Sequence, residues 1–290
     1  MIGILSAFGA ATSWTYACFI WRSQTQKYKA IDINLIKNII AFLVFIPSFI
    51  NLSSSTELKY IFILLLSGII GIGLGDTFYL KSLQTIGTRK TLSIETLSPL
   101  MAALSGEIFI NENLKPTSWI GIIIVSISLF IILKKGNNYM EGNSPFSEKN
   151  KFKIYAFPFL SVLCAVLGGL FSRIVFLQSN LSPLLTTEIR LLGAIIFLIT
   201  LERFKINFFL KTMEKNQRKR FLLSILLGTN LGILLQQIVF KTLPIGIGWA
   251  LLSTSPLISL FFAKNEEREI TKKIIFFTCF LFFGLILIVL

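Results

Sequence analysis

The chain has 290 residues; 54% are hydrophobic, only 14% are charged, and none is His. Soluble domains carry about 25% charged residues. That deficit, with a mean hydropathy of +0.76, excludes an ordinary soluble enzyme and puts most of the chain in lipid. The net charge of +14 does not point to nucleic acid. Lys and Arg lie between apolar runs, where they face headgroups, and no basic stripe with interleaved aromatics suits DNA or RNA.

A helix crossing about 30 Å of hydrocarbon takes roughly 20 residues. On that measure the sequence predicts ten spans: 2–21, 33–50, 60–80, 91–110, 117–133, 154–177, 183–201, 221–240, 245–263 and 273–290. The first lacks the basic lead and small-residue cleavage site of a signal peptide, so it reads as a retained span. Most connections are short. The longer ones, 134–153 and 202–220, are polar and form no domain. Cys18, Cys164 and Cys279 fall inside apolar runs without CxxC spacing, which reads as buried small side chains and leaves no disulfide framework or zinc site.

Charge placement sets an expected orientation. Of the 24 Lys and Arg outside the spans, 21 lie in odd-numbered connections; the even-numbered ones hold only Lys59, Lys115 and Lys241, and Lys273 begins the last span. The positive-inside rule then places both termini outside the cytoplasm. Richness in Lys, Ile and Asn fits an AT-rich bacterial genome, so the expected location is a bacterial plasma membrane, the cell inner membrane.

The chain also repeats itself. Residues 71–133 align with 228–290 at a constant offset of 157, with 11 identities in 63 positions. Gly71 and Gly75 of span 3 match Gly228 and Gly232 of span 8, a GxxxG that lets helix backbones approach. Ser98-Pro99-Leu100 matches Ser255-Pro256-Leu257, and Glu112 matches Glu269; each Pro–Glu interval is thirteen residues. The organisation read from this is a first five-helix unit at 1–133, a cytoplasmic linker at 134–153 and a second unit at 154–290. Five is odd, so the second unit enters the membrane inverted relative to the first, a construction frequent in secondary transporters. The fold class is therefore all-α integral membrane, two inverted five-helix repeats, with Pro99 and Pro256 as matched helix breaks.

Ionisable and polar groups inside a bilayer are costly, so each calls for a reason. Glu95 lies one turn before Pro99; it reads either as a proton-titrating or amine-binding carboxylate, or as an ion-pair partner of Lys81, Arg89 or Lys90. Asp76 follows the glycines of span 3, with Tyr79 three residues on; it has the same two readings, with Lys81 as its structural partner. Arg173 in span 6 suits an anionic substrate group or a pairing with Glu188. Asn230, Gln236 and Gln237 of span 8 line water or bind helices together, and Trp14 either packs or stacks on a ligand. Lys37 and Arg190, matched at an offset of 153, read as gate or interface residues near opposite faces. Glu112 and Glu269 read as carboxylates at the starts of spans 5 and 10, and Trp119 as an interfacial anchor. Enzyme signatures are missing: there is no His base, GxSxG, phosphate loop or metal-ligand spacing, and no cofactor is implied.

Taken together, the ten spans in two halves, the glycine-rich spans 3 and 8, the prolines at 99 and 256, and Glu112, Leu114 and Trp119-Ile120-Gly121 resemble the EamA-type proteins of the drug/metabolite transporter superfamily. The second half keeps Glu269 but has Phe277-Thr278 where a Trp-Gly pair is expected. The resemblance implies a carrier with a central cavity lined by spans 1, 3, 4, 6, 8 and 9, working by alternating access, and efflux of small metabolites such as amino acids. Glu95 and Asp76, read as coupling carboxylates, point to protons as the coupling ion, and the family's usual N-terminus-inside orientation conflicts with the loop charges. The alternative is a non-transporting membrane protein, lipid-interacting or an assembly factor, that keeps the fold.

Overall fold

The computed structural model describes residues 1–51, 57–135, 148–203, 209–255, 258 and 272–289. Pro256 and Glu269 lie outside the described residues. Among those described there is no strand, and the apolar runs of the sequence are helical.

The elements are α1 (Ile2–Thr25), α2 (Ala30–Phe45, continued by a 3₁₀ turn Ile46–Asn51), α3 (Leu58–Ser67), α4 (Asp76–Thr85), α5 (Gly87–Glu95), α6 (Ser98–Ile110) and α7 (Pro116–Lys135). The second half supplies α8 (Glu148–Gln178), α9 (Pro183–Leu201), α10 (Lys215–Ser224), α11 (Gly232–Thr242), α12 (Ile245–Leu252) and α13 (Lys272–Val289). Among the described residues, six continuous stretches are long and apolar enough to cross a membrane: 2–25, 30–48, 58–85, 156–178, 183–201 and 215–242. Shorter apolar helices at 98–110, 116–132 and 276–289 accompany them.

Two stretches are longer than hydropathy predicts, and each contains a π segment. Between α3 and α4 the helix widens to a π-helix over Gly68–Gly75, and between α10 and α11 it does so over Ile225–Leu231. Gly68 and Ile225 stand 157 residues apart, the offset of the sequence repeat. A π turn hydrogen-bonds i→i+5 and leaves backbone carbonyls to be satisfied from outside. Asn34 does this for the first segment. Its amide donates to the carbonyls of Ile72 (2.9 Å) and Gly73 (3.1 Å) and to Thr77 Oγ1 (2.9 Å). α2 starts at Ala30 instead of residue 33, and its polar residues Asp32, Asn34, Lys37 and Asn38 are buried against neighbours.

The break expected at Pro99 is present. α5 ends at Glu95, Thr96–Leu97 form a turn, and Pro99 sits in the first turn of α6, where a missing N–H costs nothing. α6 then stops at Asn111, whose φ of 52° is the left-handed conformation that ends helices.

Packing across the halves is crossed. The continuous stretch of α3, its π segment and α4 forms helix 3, and that of α10, its π segment and α11 forms helix 8. A Cβ on Gly168 of α8 would lie 2.6 Å from Cα of Gly71 in helix 3, so these two backbones touch. Ser67 reinforces the seam by donating to the Gly168 carbonyl at 2.6 Å. Gly75 faces Cys164 of α8. Gly228 faces Ala17 and Trp21 of α1, and Gly232 lies near Trp14. Each glycine-rich helix thus packs on the first helix of the other half. Small residues earn close van der Waals contact here because lipid supplies no hydrophobic drive between helices.

Candidate functional site

A cavity of about 110 Å³ lies between the halves. It is well below the roughly 300–1,000 Å³ of drug-sized pockets. α1 contributes Trp14, Thr15 and Cys18; helix 3 contributes Ile72, Asp76 and Tyr79; α5 contributes Leu92 and Glu95. From the second half come Ser161 and Val162 of α8, Arg190 of α9, Ile233 and Gln236 of α11, and Trp249 and Leu252 of α12.

The lining follows the sequence repeat. Leu92 and Trp249, Glu95 and Leu252, Thr96 and Ser253, Ser98 and Ser255, Asp76 and Ile233, and Tyr79 and Gln236 are all separated by 157 residues, and both members of each pair face the cavity. The wall is symmetric in position and asymmetric in chemistry. Carboxylates come from the first half, while their partners in the second are Leu252 and Ile233.

Asp76 is held by Lys37, whose Nζ lies 2.5 Å from Oδ2. Lys37 is 1% exposed and stands 5.1 Å from the Trp21 ring centroid. The expected partner of Asp76, Lys81, instead sits over Phe157 at 5.3 Å. Arg190 approaches the same carboxylate as an electrostatic neighbour. Its guanidinium is buried, and Nε and Nη1 have no hydrogen-bond partner among the described residues. Its Nη2 would lie 3.0 Å from a Cβ on Gly71, so that glycine makes room for it.

This corrects the reading of Lys37 and Arg190 as groups near opposite faces. Each lies seven residues past the first residue of its helix, about 10 Å along the axis. Their long side chains carry the charge onward to Asp76.

Glu95 is half-buried and makes no hydrogen bond or ion pair with a described side chain, and Asp76 is its electrostatic neighbour. Around the carboxylates stands an aromatic wall. Trp14 packs edge-on against Tyr79 (6.4 Å between centroids) and Trp21 (6.0 Å). The Tyr79 hydroxyl hydrogen-bonds Cys18 Sγ at 2.9 Å. Thr15 Oγ1 donates to the Ser255 carbonyl at 3.0 Å and so ties α1 to the chain after α12.

Three sequence candidates are placed elsewhere. Arg173 Nε donates to Glu112 Oε1 at 2.6 Å, and Nη1 donates to the carbonyls of Phe240 and Lys241. Its partner is Glu112, not Glu188, and it does not line the cavity. Glu112 in turn accepts the Ile245 N–H at 2.7 Å. It therefore caps the start of α12 in the other half, where the helix dipole favours an anion, and not the start of its own next helix. Asn230 donates to the Ala41 carbonyl at 2.9 Å, gluing α2 to the second π segment. Gln237 is fully buried away from the cavity, without a hydrogen-bond partner among the described residues. Trp119 packs partly buried against the cluster around α6, α7 and α12. Among the described residues no three His, Cys, Asp or Glu come together as metal ligands.

The sequence reading missed Arg190 as a cavity residue and Lys37 as the partner of Asp76. The available signal was the offset of 153, which set two cations at matched depth.

Comparison with known proteins agrees with this architecture. The model of the EamA-like transporter family matches residues 1–134 and again 152–290. Among solved structures 29 chains match. One, described only as the crystal structure of a protein, superposes with a TM-score of 0.76 at 14% identity, covering 99% of this chain and 98% of the other. At that identity it shows a shared fold. A search of curated sequences returns no match. With two matches of one family model together covering nearly the whole chain, the protein belongs to the EamA-like transporter family, membrane transporters within the drug/metabolite transporter superfamily.

Proposed function

We propose that this chain is a secondary active exporter of a small polar metabolite of amino-acid type, working by alternating access between two inverted five-helix repeats of ten spans. The observation that carries this reading is the cavity wall built from positions repeated at an offset of 157, with Glu95 unpaired among described side chains on one half and Arg190 on the other. A ligand with a cationic group near Glu95 and an anionic group near Arg190 satisfies both, and Trp14, Tyr79 and Trp249 enclose its apolar part. Gln236 offers a neutral hydrogen-bonding edge. Inverted repeats supply two ways of packing the same halves, so the site opens to either side in turn.

Protons are the proposed coupling ion, with Glu95 and Asp76 carrying them. The direction proposed is outward, following the family resemblance. The proposed location is a bacterial plasma membrane with both termini outside, which rests on the loop charges. A C-terminal reporter active only in the cytoplasm would reverse that orientation.

The substrate reading is tested by thermal-shift titration of the purified protein with zwitterionic amino acids, their decarboxylated amines and their deaminated acids. The expected result is stabilisation by one or more zwitterions, lost in Glu95→Gln and in Arg190→Gln. Equal stabilisation by amine, acid and zwitterion would sink the two-charge reading.

A further inference from the structure

A second concavity, of about 690 Å³, opens on the flank of the protein between the start of α2, helix 3 and the end of α9. We propose that it is a binding site for a phospholipid with an anionic headgroup. It is separate from the central cavity, on the other side of helix 3, and the transport reading does not use it.

Its two ends differ in chemistry. At the rim are the exposed ammonium groups of Lys27 and Lys29, in the short link from α1 to α2, and of Lys81, near the end of α4. Phe157, 5.3 Å below its Nζ, holds Lys81 at that edge. The wall beneath is apolar: Leu74, Phe78, Phe197 and Leu201. Leu74 precedes Lys81 by seven residues along one helix, so the apolar wall reaches about 10 Å below the basic rim. A polar end above an apolar channel of that depth is the division between a lipid headgroup and the first part of its acyl chain.

Charge decides which headgroup. Three lysines face one acid at the rim, Glu202, leaving a positive balance that attracts anionic over zwitterionic lipids. The first turn of α2 opens at the same place: Ala30 and Ile31 line the groove, and the helix start has no side-chain cap. The chain segments forming the rim are a helix start and two helix ends. That puts the rim at a membrane interface, where headgroups lie.

The groove also touches the machinery of the cavity. Its floor includes Gly73 and Thr77, the π-segment groups that Asn34 holds, and Asp76 between them and α5 lines the cavity on the opposite face of the same helix. A lipid wedged against this face would brace the π segment in one packing.

The test uses the full-length protein in detergent, followed by native mass spectrometry and thermal melting with dioleoylphosphatidylglycerol, dioleoylphosphatidylcholine or inorganic phosphate. The expected result is selective retention of phosphatidylglycerol and a raised melting temperature. In Lys27→Gln/Lys29→Gln/Lys81→Gln, retention should fall at least fivefold. A second variant, Lys215→Gln/Lys219→Gln on α10, removes basic charge elsewhere and should retain the lipid as wild type does. Leu74→Trp fills the apolar channel and should also displace it while leaving the lysines in place. Equal binding of both lipids, equal stabilisation by phosphate alone, or equal loss in the α10 variant would overturn the site. So would a lipid-independent dimer, broken by the same three lysine changes, which would make a second copy the occupant.

Discussion

The ion pair of Lys37 with Asp76 can be interrogated by a double-mutant cycle. Lys37 is 1% exposed and Asp76 8%, with the charged atoms 2.5 Å apart, so both charges are desolvated. Removing one partner of such a pair leaves a bare buried charge and costs about 3–5 kcal/mol. The two single changes are not equivalent. In Lys37→Met, Asp76 keeps Arg190 as a positive neighbour, which places the loss near the lower bound. In Asp76→Leu, Lys37 keeps only the Trp21 face at 5.1 Å, worth about 0.5–2 kcal/mol, and Arg190 loses its counter-charge as well, which places the loss near the upper bound. The double variant Lys37→Met/Asp76→Leu removes both charges, and it should be more stable than the sum of the singles by about 2–3 kcal/mol. At roughly 2–4 °C per kcal/mol, Lys37→Met should melt about 10 °C below wild type. Melting in detergent, followed by tryptophan fluorescence, measures all four corners of the cycle. Additive losses would refute the pairing, and a smaller loss for Asp76→Leu than for Lys37→Met would refute the role given to Arg190.

Other consequences follow from contacts away from the cavity. Arg173→Met should lower the melting temperature, because Glu112 and the carbonyls of Phe240 and Lys241 lose their donor, by about 3–5 kcal/mol; ligand affinity at the remaining folded sites should stay unchanged in a titration. Gly168→Ala puts a methyl 2.6 Å from the Gly71 Cα, and overpacking of that kind costs about 1–3 kcal/mol, read as a lower melting point. Asn34→Leu strips three hydrogen bonds from the first π segment, so amide exchange over residues 68–77 should quicken while that over 225–231 does not.

Much of the architecture was legible because hydropathy and proline placement report directly on lipid and on helix continuity. Pro99 marked the turn at Thr96–Leu97; of the repeated glycines, Gly71 meets the Gly168 backbone, whereas Gly228 meets the side chains of Ala17 and Trp21. The π segments were not legible, since a change from i→i+4 to i→i+5 bonding alters no residue's hydropathy. The polar residues of α2 were not legible as buried either. Asp32, Asn34, Lys37 and Asn38 interrupt the apolar run, yet the structure buries them because the adjoining π segment needs donors and Asp76 needs a cation. For the site, residue type alone could not say which way a side chain faces. Trp14, Asp76, Tyr79, Glu95 and Gln236 lie on the cavity, whereas Arg173, Asn230 and Gln237, of the same chemical kinds, join helices or lie buried apart from it. Arg190 was overlooked because its depth was counted from the helix end without the reach of its side chain.

The central claim is that a small zwitterion crosses the membrane through the cavity between the two halves. Counterflow in proteoliposomes tests it most directly: vesicles loaded with unlabelled amino acids are given a trace of labelled ones, for wild type and for Glu95→Gln. The account predicts transient accumulation of at least one labelled zwitterion by wild type, at least tenfold slower in Glu95→Gln. Accumulation at the same rate in the variant, or no counterflow of any zwitterion by folded wild-type protein, would contradict it.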